Sequence, residues 1–62
     1  MLKIDYWYGH KREDITGVDC WFSDSDCEYR GNIYKENRAI GDYVADDSGD
    51  VEREFPGIFD GR

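Results

Sequence analysis

EYRGNIYKENRAIGDYVA, residues 28–45, reads as two β-strands joined by a two-residue turn. In the first half Tyr29, Gly31 and Ile33 alternate with Arg30, Asn32 and Tyr34. In the second, Ile40, Asp42 and Val44 alternate with Ala39, Gly41 and Tyr43. That is the period of two expected of strands. Glu36-Asn37 is the connection, and Asn tolerates the positive φ that such turns need. A two-residue loop pairs Lys35 with Arg38. Ile33 then faces Ile40, Gly31 faces Asp42 and Tyr29 faces Val44. The Ile33–Ile40 match supports this register, because a one-residue slip turns every side chain to the other face.

Two further strands precede this hairpin. In LKIDYWY (2–8), Leu2, Ile4, Tyr6 and Tyr8 point one way and Lys3, Asp5 and Trp7 the other, and Gly9 ends the run. HKREDITG (10–17) is polar and reads as a loop or one helical turn. In VDCWFS (18–23), Val18, Cys20 and Phe22 lie opposite Asp19, Trp21 and Ser23. SDSD (23–26) is a turn cluster, since Ser and Asp side chains bond back to the local backbone. After the hairpin, DDSGDVEREF (46–55) places Val51 and Phe55 at a helical i, i+4 spacing. Asp47 or Ser48 caps that helix, Asp50 suits its first turn, and Pro56-Gly57 stops it. A helix of about two turns is marginal alone, so it must dock, through Val51, Phe55 and then Ile58 or Phe59.

The expected fold class is α+β: one small domain over residues 1–62, a four-stranded antiparallel β-meander with one short C-terminal helix packed on one face. The expected core is Leu2, Ile4, Tyr6, Val18, Cys20, Phe22, Tyr29, Ile33, Ile40, Val44, Val51 and Phe55. Gly31 and Gly41 read as places where bulky neighbours need room, or as local bulges.

Composition sets the outer limits. The chain has 62 residues, with 15 Asp and Glu against 8 Lys and Arg, a net charge of −7. A 60-residue domain buries only about 60% of its unfolded surface, so the core is small. Five Tyr, three Phe and two Trp argue against disorder, because each buries a large area. No apolar run approaches the roughly 18 residues of a membrane span, and the N-terminus lacks a signal-peptide pattern. The expectation is a cytoplasmic protein with no membrane contact. Its acid excess argues against direct nucleic-acid binding, which needs Lys and Arg. Cys20 and Cys27 are too few for a disulfide framework, and in a reducing compartment both thiols are free.

Two surfaces stand out as binding candidates. Residues 1–40 hold eight acids and six bases, whereas residues 41–62 hold seven acids and two bases. Asp42, Asp46, Asp47, Asp50, Glu52 and Glu54 form the dense part. They read either as solubilising and capping charges or as a surface that imitates DNA phosphates and occupies a basic groove. The second candidate is the open sheet face, on which the alternation puts Trp7, Trp21, Tyr34 and Tyr43, one from each strand. Such a face is normally polar. Four aromatics there read as cross-strand stabilisation, a homodimer seam or a partner surface.

Catalytic and metal readings are weaker. His10 sits among charged loop residues, Cys20 lies on the core side, and Cys27 is flanked by acids, which raise a thiol pKa. No catalytic residue is assigned. Neither Asp24-Asp26-Glu28 nor Asp46–Asp50 completes a calcium loop with its glycine and terminal glutamate. One His and two Cys do not make a zinc site. No metal or cofactor is expected.

The run YRGNIYKENRAIGDYVADDS (29–48) followed by FPGIF (55–59) resembles small uncharacterised proteins of phages and integrative mobile elements in Gram-positive bacteria. No functional residue transfers from that group. In size and charge the chain is also similar to phage-encoded anti-CRISPR and anti-restriction inhibitors. The function expected is a non-enzymatic protein-binding module that inhibits a host nucleic-acid-handling or defence protein through an acidic, DNA-mimicking surface. The alternative is a self-associating accessory module, a homodimer through its aromatic face.

Overall fold

The computed structural model describes residues 1–59 and puts the 28–45 hairpin at the centre of the sheet. The strands are β1 (Leu2–Tyr6), β2 (Gly17–Val18), β3 (Trp21–Ser23), β4 (Glu28–Lys35) and β5 (Arg38–Ala45), followed by helix α1 (Ser48–Glu54). The polar segment after β1 forms a single 3-10 turn, Arg12–Asp14. The fold is therefore α+β, a five-stranded antiparallel sheet with one short helix.

The hairpin turn is as the sequence predicts. Lys35 pairs with Arg38, and Glu36 and Asn37 both take positive φ, 50° and 72°. Two consecutive left-handed residues give the turn twist that matches right-twisted strands. Beyond the first two pairs the predicted register fails. Tyr34 faces Ala39, but Ile33 faces Gly41 rather than Ile40, Gly31 faces Tyr43, and Tyr29 faces Ala45. Ile40 is the extra residue of a β-bulge. Its side chain is fully buried, so the bulge keeps Ile33 and Ile40 together in the core while reversing the faces of the rest of β5. Tyr43 and Ala45 are buried as a result. Asp42 and Val44, the latter expected in the core, look out on the open face instead.

The strand order also differs from a meander. It runs β1-β5-β4-β2, with β3 pairing along the same edge of β4 beyond β2. The expected strand at 18–23 is thus two short pieces, interrupted at Asp19-Cys20. β1 pairs with β5 instead of with its sequence neighbour. The physical reason lies at Gly41, where a Cβ would come within 2.5 Å of the Asp5 carbonyl oxygen, so only glycine admits β1 at this distance. β5 offers a long second edge, whereas the broken strand offers only two or three residues.

Helix α1 closes the other layer. The Asp47 side chain caps it, accepting from the Gly49 amide at 3.3 Å. Val51 and Phe55 enter a core formed with Ile33, Ile40, Tyr43 and Ala45, and Leu2, Ile4, Ile15, Val18, Cys20, Tyr29, Ile58 and Phe59 pack around it. The helix covers β1 and β5. Over β3 the layer is missing, so Phe22, placed in the core by alternation, is 48% exposed and packs edge-to-face with the Tyr29 ring. Tyr6 is half-buried and lies outside the core cluster.

Candidate partner-binding site

The acids of the C-terminal third do not form one surface. Asp42 lies on the open face of the sheet, opposite Asp5 of β1; Asp46, just past β5, borders that face beside Lys3 and Val44, and the other four belong to α1 and its cap. Asp50 accepts the Met1 ammonium at 2.7 Å and the Arg53 guanidinium at 2.8 Å. Those partners hold its carboxyl below the ordinary carboxylate range, the Met1 bond contributing most. Asp46 stands 3.5 Å from the same ammonium. Glu54 is taken by Arg12, whose guanidinium also bonds the Glu54 carbonyl and lies over the Phe55 ring, fastening the 3-10 turn to the end of the helix. Glu52 accepts from the Gly57 amide at 3.4 Å. Asp46, Asp47 and Glu52 are the members that face solvent around the helix; Asp50 and Glu54 are half-buried.

The four-aromatic face is not assembled. The bulge carries Tyr43 to the core side, where its ring lies against Phe55 and its hydroxyl donates to the Asp19 carbonyl at 2.6 Å. Burial, and then contact with the Cys20 thiol, push this phenol far above its usual pKa. Tyr34 stays on the open face, but its hydroxyl donates to Asp19 Oδ2 at 2.7 Å, which raises its pKa as well. Trp7 lies beyond the end of β1 and is half-buried. Only Trp21 is a large exposed aromatic of the four, at 47%.

What the open face does hold is a shallow hollow of about 450 Å³, lined chiefly by Lys3, Asp5, Trp21, Arg30, Asn32 and Asp42. Its charge is mixed. Arg30, cross-strand from Trp21, is gripped by Glu28 and by Asp26 at 3.1 Å, so its guanidinium is committed within the chain. Sequence reasoning missed this cluster because Asp5 and Asp42 meet only through the β1–β5 pairing, which leaves no local trace. The exposed Tyr8 was also missed as a surface feature. It occupies a turn with Gly9 in which both residues take positive φ, 57° and 76°.

Asp14 and its partners serve the framework. Asp14 accepts from the Lys11 amide at 3.1 Å, lies 3.1 Å from His10 Nδ1, and takes Lys35 at 3.4 Å. The Lys11 amide, then His10 and Lys35, lower its pKa to about 2. Cys20 and Cys27 are both free. Among the described residues no cluster of His, Cys, Asp and Glu could hold a metal ion. No helix among them is long and apolar enough to cross a membrane.

These features define a small α+β domain whose candidate surfaces are an acidic helix corner and a charged sheet face. Compared with protein-family models, with curated proteins and with solved structures, the chain matches none.

Proposed function

We propose that the protein is a non-enzymatic binding module that acts by stoichiometric contact with a basic protein surface. In this reading it inhibits a nucleic-acid-handling or defence protein of the host of a phage or mobile element. The observation that carries it is the grouping of Asp46, Asp47 and Glu52, exposed on and just before one short helix, in a chain of net charge −7. Such a group projects a negative field toward a cationic groove and speeds encounter at low salt. Asp42 belongs to the opposite face and does not contribute to this surface. The commitment of Arg30 to Glu28 and Asp26 supports a protein partner over a phosphate backbone.

The test is a salt titration of binding to candidate nucleases and restriction or CRISPR effectors. The expected outcome is a complex that weakens steeply with ionic strength, and that Asp46→Asn with Asp47→Asn weakens about tenfold or more at low salt. A complex insensitive to both salt and these substitutions sinks the acidic-surface reading.

A second reading, a self-associating accessory module, is favoured by a different observation, the unpaired outer edge of β1.

A further inference from the structure

β1 is an edge strand, paired on one side only. The Trp7 amide donates to the Ile40 carbonyl at 2.8 Å, which sets the phase of the β1–β5 ladder. Odd-numbered residues of β1 bond to β5. The N–H and C=O groups of Leu2, Ile4 and Tyr6 therefore point outward, and among the described residues no other backbone group takes them up. An open edge of this kind is a template for another strand.

The side chains on that edge select the strand. Across β5, Lys3 faces Val44 and Asp5 faces Asp42, so neither charge meets its opposite within the sheet, and the two carboxylates oppose each other. Like charges directly across a ladder are destabilising. Lys3 and Asp5 lie on one side of Ile4 and the other, both exposed on the open face.

We propose that β1 pairs antiparallel with β1 of a second copy of this chain, about a two-fold axis at Ile4. In that register Ile4 faces Ile4 of the other copy, Leu2 faces Tyr6, and Tyr6 faces Leu2. These are the residues whose backbone groups point outward, so each pair exchanges both of its hydrogen bonds. Lys3 faces Asp5 and Asp5 faces Lys3, at the positions between those bonded pairs. There the Cα atoms approach to about 4.5 Å and the side chains are closest. The contact is isologous, the same patch serving both copies. Leu2, Ile4 and Tyr6 continue the apolar side across the seam, and each Asp5 gains a cation to set against Asp42. A five-residue seam is small, so the dimer forms in a concentration-dependent equilibrium.

The charges allow a decisive experiment, independent of any partner of the acidic helix. Sedimentation equilibrium is run on the full chain, on Lys3→Asp, on Asp5→Lys, on their equimolar mixture and on the double variant. The native chain should dimerise. Each single variant sets like charges across the seam at both symmetric positions and should weaken the dimer about tenfold or more. The mixture should recover native affinity as a heterodimer, because one copy then offers two acids and the other two lysines. The double variant should dimerise as the native chain does. Amide exchange should slow at Ile4 and Tyr6 as concentration rises. A native chain that stays monomeric near 1 mM overturns the proposal. So does a dimer indifferent to the single variants, or a mixture that fails to recover.

Discussion

Gly31, Tyr43 and Asp19 form a lock in which each residue needs the other two. A Cβ on Gly31 would lie 2.0 Å from the Asp19 carbonyl oxygen and 2.6 Å from the Tyr43 ring. Neither can retreat, because the Tyr43 hydroxyl ties ring and carbonyl together. Gly31→Ala is expected to cost about 3 kcal/mol or more, the upper range for overpacking a core. Tyr43→Phe keeps the packing but leaves the carbonyl without its donor, and should cost about 1–3 kcal/mol. Urea unfolding followed by Trp fluorescence measures both, and a Gly31→Ala chain as stable as the native one would refute the lock. Asp14 gives a pH signature at the same scale. Its pKa is lowered from 3.8 to about 2, so the stability it adds is fully present above pH 4 and lost as pH falls through about 2. The site is half-buried at the surface, where solvent still screens the charges, which keeps the effect small. Asp14→Asn should flatten part of the decline in urea midpoint between pH 4 and 2; an unchanged slope counts against this assignment.

The β4–β5 turn is an element with room for improvement. Glu36 holds a left-handed conformation that costs an L-residue about 1–2 kcal/mol, and Asn-Gly is the pair that such turns prefer. Glu36→Asn with Asn37→Gly should therefore raise stability by roughly 1 kcal/mol, after the greater freedom of glycine in the unfolded chain is offset. Thermal unfolding checks this, and a lower midpoint would contradict it. This turn was legible in the sequence, as were the alternation in residues 2–6 and 28–35, the helix cap, narrowed to Asp47 or Ser48, and the Val51–Phe55 docking stripe. All are local patterns whose physics acts over a few residues. The bulge at Ile40 was not legible, because one inserted residue leaves the hydrophobic pattern intact on both sides and shows only in the pairing. That single insertion took Tyr43 out of the expected aromatic face and put Val44 into the open one. Of the candidate site, the acids following β5 were legible by position. Their separation from Asp42 was not, since it depends on which side of β5 each residue faces.

The whole molecule is a thin slab, 28 × 24 × 17 Å, because one short helix covers only the β1–β5 half of the sheet. The uncovered half leaves Phe22 exposed, and the covered half ends in the free β1 edge. Acidic helix and open edge thus belong to the same end of the molecule, so a contact through one bears on access to the other. The pairing of Leu2 with Ala45 has a further consequence, in time rather than in space. A chain made in the N-to-C direction produces β1 well before β5, with β2, β3 and β4 between them. The β4–β5 hairpin closes a loop of two residues and can form as soon as it emerges, whereas β1 must wait for the whole intervening chain and then close a far larger loop. Until that moment β1 is a solitary strand with both edges open, and it gains a neighbour only once β5 has been made.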